Sequence, residues 1–319
     1  METLFDTSTL YGILFFVAIV LCALFAFFLL KKLGMKGQTR FILIGTSVLM
    51  GGFFAHLFYC FMTFTLTLSE RGPLYFFAFY QGGYMLYGAL AGGCLGAAMV
   101  AKLSGHKAIE AVDVLVPAGA LTIALARFLE GLNGQGFGPD LENEALQFFP
   151  LAIFDGYYET WYIALFILEG LWAFFIALWL FKRKNQSMPG DQLGLLLLFY
   201  AAVQIFFESV RQDDVLRWGF VRCSQVISAL TVAAVLAFYQ KKRGATSVPR
   251  VLSEWLVLLL LMGICIAMEF AREQKIEWLL FMNETLCHIT MIAAIFGMLA
   301  LVMQVRRRVS PITFQSPAK

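Results

Sequence analysis

Nine apolar runs of about 20 residues punctuate the sequence, each long enough to cross roughly 30 Å of hydrocarbon as a helix. Hydrocarbon offers no water to backbone amides, so a chain built of such runs must satisfy its N–H and C=O groups inside helices. Composition agrees: 60% of residues are hydrophobic and only 14% are charged, outside the range of soluble domains. The pattern predicts an all-α, polytopic membrane protein. Its transmembrane helices are expected at about 10–30, 41–68, 81–102, 108–129, 160–181, 191–211, 221–240, 253–271 and 277–305.

Charge placement orients these spans. The connections after the first, third, fifth, seventh and ninth hold 17 of the 24 lysines and arginines. They are Lys31, Lys32, Lys36 and Arg40; Lys102 and Lys107; Lys182, Arg183 and Lys184; Lys241, Lys242, Arg243 and Arg250; and Arg306, Arg307, Arg308 and Lys319. By the positive-inside rule these connections are cytoplasmic, which predicts an N-terminus outside and a cytoplasmic C-terminus. The first residues carry Glu2 and Asp6 but no basic residue, unlike a secretory signal, so the first helix is expected to be retained.

The other side is acidic. Residues 130–159 contain Asp140, Glu142, Glu144 and Asp155, no Lys or Arg, and the aromatics Phe137, Phe148, Phe149, Phe154, Tyr157 and Tyr158. Long interhelical segments often carry function, and aromatics favour the membrane interface. An extracytoplasmic cap at the outer leaflet is expected; a passive solvated loop is the plainer reading. The six cysteines, at 22, 60, 94, 223, 265 and 287, lie scattered in apolar runs and read as small buried residues. His56, His106 and His288 are far from other ligands at useful spacing, so no metal is expected, nor any other cofactor.

Charges that sit awkwardly in a membrane point to a site. Outside the cytoplasmic connections lie Arg71, Arg127, Arg211, Arg217, Arg222, Arg272 and Lys275. Arg127 closes the fourth span and is followed by Gly131, Gly134, Gly136 and Gly138. An arginine there needs a polar cavity or an anion, and glycines let backbone come close to a ligand. The stretch reads as one wall of a lipid headgroup site. Glu208 and Arg211, spaced i, i+3 at the end of the sixth span, are expected to pair, with Gln204 on the same face. Asp113 lies 14 residues before Arg127, about 21 Å along a helix, and is expected to stabilise its own helix N-terminus instead. Glu169 in the fifth span should face the bundle interior. In the third span, Gly88, Gly92 and Gly96 form a ridge for close helix packing. Gly82-Gly83, with Tyr84 and Tyr87, suggests a glycine-opened groove faced by two phenols.

The order of these features resembles the prolipoprotein diacylglyceryl transferase family. Tyr11-Gly12 opens the first span, Gly51-Gly52 lies in the second, Gly82-Gly83 opens the third, and Asp113-x-x-x-Pro117 precedes Arg127. Asn133-Gly134-Gln135-x-x-Gly138, Glu169-Gly170, Glu208-x-x-Arg211-Gln212-x-Asp214 and Ser224-Gln225-x-x-Ser228 follow in order. The resemblance covers roughly residues 10–240. It implies a seven-helix transferase domain over 1–245, capped at 130–159; the two additional helices and basic cytoplasmic tail expected over 246–319 are spans that a seven-helix member would not have. It further implies a bacterial inner-membrane enzyme that moves the diacylglyceryl group of phosphatidylglycerol, or a similar anionic phospholipid, to the lipobox cysteine of a preprolipoprotein signal peptide. Nucleic acid is not an expected partner.

Under that resemblance Arg127 holds the phosphodiester, Arg211 is the second choice, and Glu208 and Tyr87 complete the catalytic candidates. Tyr11, Gly82, Gly83, Glu130, Asn133, Gly134, Gln135, Gly138, Gln204 and Gln225 form the expected substrate-binding set. The chain departs from the family pattern in places. Tyr87 stands where a histidine is usual, and Gln204 where a second arginine is. Glu130 replaces an asparagine, Gln135 an acid, and Glu159-Thr-Trp-Tyr162 a His-Pro-Ser-Gln run. A phenol with an ordinary pKa near 10 is a poor base. Two readings therefore stand, a membrane transferase and a non-catalytic relative that binds lipid or signal peptide. A transporter would show two related halves, and the sequence contains no such repeat.

Overall fold

The computed structural model describes residues 7–156, 158–183, 188–212, 216–218, 221–275, 279 and 281–309. Glu2, Asp6, Tyr157, Lys184, Asp214 and Lys319, named above, lie outside the described residues. Among the described residues nine helices are long and apolar enough to span a membrane. They are α1 (Thr7–Leu29), α2 (Gly37–Met62), α3 (Leu86–Leu103), α4 (Ala108–Glu130), α5 (Leu165–Lys182), α6 (Asp191–Val210), α7 (Cys223–Arg243), α8 (Val248–Arg272) and α9 (Glu284–Arg307). The chain divides into two compact units, Met1–Phe137 with Leu141–Lys184, and Gly138–Asp140 with Asn185–Lys319.

The first unit holds α1–α5. Its α2 and α3 run with their backbones in contact. A Cβ at Gly88 or Gly92 would strike the Phe54 or Met50 carbonyl, and one at Gly96 would lie 2.8 Å from the Thr46 carbonyl. The glycine ridge is a packing surface, as the spacing predicts. Expected helix ends shift where local chemistry intervenes. The second helix stops at Met62, where Thr63 leaves helical geometry and its hydroxyl donates to the Tyr59 carbonyl (2.8 Å). The third begins at Leu86 rather than 81, because Gly82 and Gly83 both take positive φ (80° and 77°). The fifth begins at Leu165 rather than 160. Thr160–Ile163 instead forms strand β2, antiparallel to β1 (Ala152–Asp155), with Ala152 opposite Ile163. This hairpin is the ordered centre of the expected cap, and Leu141 N–H donates to the Trp161 carbonyl (2.7 Å) beside it.

The second unit holds α6–α9 around Leu198, Ala202, Val232, Leu236, Leu258, Met298 and Val302. Two further short strands, β3 (Arg217–Trp218) and β4 (Val221–Arg222), pair antiparallel before α7. The last helix begins at Glu284, where the Asn283 side chain accepts from Leu286 N–H (2.8 Å). Buried charge ties its far end to α6. Arg306 clamps Asp191 with Nε on Oδ1 and NH2 on Oδ2, both 2.7 Å, and the Tyr239 hydroxyl donates to Oδ1 at 3.2 Å. Nearby, Arg243 makes a two-pronged pair with Glu254 (2.6 and 3.0 Å), joining α7 to α8.

Candidate functional site

In the first unit the polar centre is Arg127, 8% exposed at the end of α4. Its Nε donates to Glu169 on α5 at 2.9 Å, and its NH1 donates to Glu130 one turn on at 2.5 Å. The stranded guanidinium therefore has protein carboxylates as its anionic partners, where the sequence suggested a lipid phosphate. Glu169 is fully buried, while the Glu130 side chain keeps 17% of its surface. Arg127 is thus fixed from the interior by one acid and covered from the accessible side by the other. Removing the arginine would leave two acids, one of them fully buried, without their shared cation.

The glycines after Arg127 serve packing more than ligand approach. Gly131 and Gly136 make room for Phe166, since a Cβ at Gly136 would lie 2.7 Å from its Cβ. Phe166 N–H donates to the Gly136 carbonyl (2.8 Å), so the loop is pinned to the start of α5. Gly134 is different. It takes a left-handed conformation with open space beside it, between exposed Asn133 and partly exposed Gln135. Those three keep accessible surface, whereas Gly138 is buried. Tyr11 on α1 stacks on Phe15 (5.8 Å between centroids) and lies close enough to Arg127 and Glu130 for their charges to act on its phenol.

At the Gly82-Gly83 turn, Gly82 has open space beside it and Gly83 does not. A Cβ at Gly83 would come 2.6 Å from the Tyr59 ring and 2.7 Å from the Tyr75 hydroxyl, so these tyrosines fill the space. His56 on α2 fastens the turn, its Nδ1 donating to the Gly83 carbonyl at 2.9 Å. Tyr75 donates to the Gly82 carbonyl (3.1 Å) and accepts from Arg71 (2.6 Å). Burial pushes the Tyr75 phenol up despite the nearby Arg71 charge, so it remains a hydrogen-bond donor. Tyr87 is buried, and the exposed Tyr84 donates to the Phe79 carbonyl. The two phenols do not share a groove. Nor does Asp113 cap its helix: it is buried, beyond the first turn of α4, and the N-cap position is Lys107.

The second unit has its own polar centre. Glu208 on α6 accepts from Gln204 Nε2 at 2.9 Å. Arg211 leaves the helix as its C-cap in extended backbone, so the i, i+3 face predicted for Glu208 and Arg211 ends at Val210. The arginine found at Glu208 is Arg222, with Nε 4.0 Å from Oε2. Arg222 NH2 donates to the Arg211 carbonyl at 2.5 Å, which binds the end of α6 to the start of α7. Gln225 then closes a capping box: its Oε1 accepts from Arg222 N–H (3.2 Å) while its Nε2 donates to Glu269 on α8 (2.6 Å) and to the Ile205 carbonyl (3.3 Å). Glu269 also takes Arg272 at 3.2 Å. Arg222 and Glu269 were missing from the expected site. The signal was present, because buried intramembrane acids and bases pair with one another, but their partners are distant in sequence.

Each centre places a buried guanidinium near one or more carboxylates. A family model described as prolipoprotein diacylglyceryl transferase matches residues 5–241. That span contains Arg127, Glu130, Glu169, Glu208, Arg211, Arg222 and Gln225, but not Glu269. Similar proteins named phosphatidylglycerol–prolipoprotein diacylglyceryl transferase include the following three bacterial ones. The one from Halalkalibacterium halodurans is 26% identical over 198 residues, covering 60% of this chain and 68% of the relative. The Staphylococcus xylosus protein is 24% identical over 226 residues, 70% and 81% of the two chains. The Shouchella clausii protein is 27% identical over 186 residues, 57% and 67%.

Proposed function

The chain belongs to the prolipoprotein diacylglyceryl transferase family, and from that premise we propose that it transfers the diacylglyceryl group of phosphatidylglycerol to the lipobox cysteine of a preprolipoprotein. A carbon–sulfur bond forms at the glyceryl carbon, the carbon–oxygen bond to phosphate breaks, and glycerol phosphate leaves with the electron pair. The thiol must first lose its proton, because the thiolate is the nucleophile. We assign that proton to a carboxylate, with Glu208 and Glu130 as candidates, since Tyr87 is buried and a phenol is a weak base.

Arg127 is assigned to the phosphodiester. Glu169 keeps the guanidinium oriented from the buried side, and Glu130, the more accessible acid, yields its place on NH1 to the incoming phosphate. Asn133, Gly134 and Gln135 border that position as headgroup contacts. In this reading Glu208, Arg211, Gln204, Arg222 and Gln225 supply a second cationic centre. The protein is placed in the bacterial cytoplasmic membrane with its N-terminus outside, which the bacterial relatives and the basic alternate connections support.

The observation that carries the reading is the match across residues 5–241, which includes both arginine centres. The test is incubation of the purified full chain with phosphatidylglycerol labelled in its diacylglyceryl part and a lipobox peptide. Label on the peptide with release of glycerol phosphate is expected. One observation favours a second reading, a binding relative without turnover: both Nε and NH1 of Arg127 already face carboxylates. Lipid bound without any transfer would establish that alternative and overturn the transferase.

A further inference from the structure

The helices α8 and α9 lie beyond the matched residues 5–241, yet a buried side chain of α8 enters the Glu208–Arg222 centre. The link runs through one amide. A primary amide has two N–H donors and one accepting oxygen. Gln225 spends its donors on Glu269 Oε1 (2.6 Å) and the Ile205 carbonyl (3.3 Å), which leaves its oxygen facing Arg222 N–H (3.2 Å). Turned end for end, the amide would aim its oxygen at a carboxylate, so the negative charge of Glu269 selects the observed orientation. That orientation fixes the first turn of α7. The first turn in turn holds Arg222, 3% exposed, with NH2 on the Arg211 carbonyl and Nε toward Glu208.

We propose that Glu269 is a positioning residue for the transfer reaction, setting the Arg222 guanidinium against Glu208 through Gln225. The proposal rests on the transferase reading above and extends it beyond the part of the chain that matches the family. Glu269 acts on the arginine through the amide and the backbone. Arg272 covers its second oxygen at 3.2 Å, so the acid is engaged on both sides. The other end of the same helical pair provides a contrast, because Arg306 and Asp191 join α9 to α6 without touching this centre.

The test compares four variants of the full chain in phosphatidylglycerol-containing nanodiscs: Glu269→Ala, Gln225→Ala, their double, and Arg306→Met. Glu269→Ala should lower kcat on the order of tenfold with little change in KM, because misplacing a group in the reacting geometry costs turnover more than binding. The double variant should be no slower than the slower single one, since both act on one path. Arg306→Met should lower the melting temperature and leave kcat unchanged. Amide exchange at Arg222 should quicken in Glu269→Ala and not in Arg306→Met. Should Glu269→Ala fail to fold, Glu269→Gln, equal in shape and without the charge, is read instead. Unchanged kcat in the Glu269 variant, additive losses in the double, or a parallel loss of kcat in Arg306→Met would each overturn the proposal. Absence of transfer by the wild-type chain sinks the transferase reading itself. In that event unchanged exchange at Arg222 would overturn the link from Glu269 as well.

Discussion

Two arginines in apolar surroundings are stabilised here in different ways. Arg127 is gripped by acids on both sides, Glu130 at 2.5 Å and Glu169 at 2.9 Å, and the three side chains carry a formal charge of −1 together. Arg222 is gripped by backbone, with the Arg211 carbonyl at 2.5 Å, while Glu208 stands off at 4.0 Å. Short contacts to carboxylates hold the first guanidinium, and a short contact to a carbonyl holds the second. The contrast shows that a buried guanidinium can be positioned by backbone as well as by acids. Direct pairing fixes a guanidinium side chain to side chain; a carbonyl and a relay of amides fix it through the backbone.

The strongest way to break this comparison is Arg127→Ala. It leaves Glu130 and Glu169 facing each other without their cation, which should cost about 3–5 kcal/mol of stability and abolish transfer. Thermal unfolding in detergent and the labelled-lipid assay measure the two effects separately. A variant retaining both would show that the first centre is idle. Arg222→Ala comes next. Losing a charged donor to a buried carbonyl should cost about 1.5–3 kcal/mol, and turnover should fall with it while lipid binding survives.

Gly92→Ala sharpens the comparison by touching neither centre. Its methyl group would strike the Met50 carbonyl, and overpacking of this kind costs about 1–3 kcal/mol. Stability should drop with the phosphatidylglycerol Kd unaltered, as a titration on the folded fraction would report. The smallest effect belongs to Glu130→Gln. Removing the more accessible acid should tighten binding of phosphatidylglycerol several-fold, in keeping with a contribution of about 1 kcal/mol from a partly exposed pair. Weaker binding would mean that Glu130 itself contacts the lipid.

Much of this architecture is legible from residue order. Nine spans follow from run length alone, and the ridge of Gly88, Gly92 and Gly96 indicates close packing before any coordinates. What escapes is local backbone choice and distant pairing. Thr160–Ile163 is apolar enough to extend a helix, but its partner strand at Ala152–Asp155 draws it into a hairpin. Gly82 and Gly83 look like the start of a span until their positive φ values exclude it. Arg127 with Glu169, and Gln225 with Glu269, join consecutive helices at residues 42 and 44 positions apart, and nothing in either local stretch names the partner. Residue types thus revealed that buried charges needed company, without revealing whose.

Asp191 and Arg306 are separated by 115 residues and clasp each other in the finished fold. During synthesis the acid emerges first, and three more helices follow before its arginine arrives. The ribosome therefore completes the sixth helix long before that helix acquires the counterion that belongs to it. A chain without residues 284–307 would keep the whole family-matched sequence and still lack this clasp.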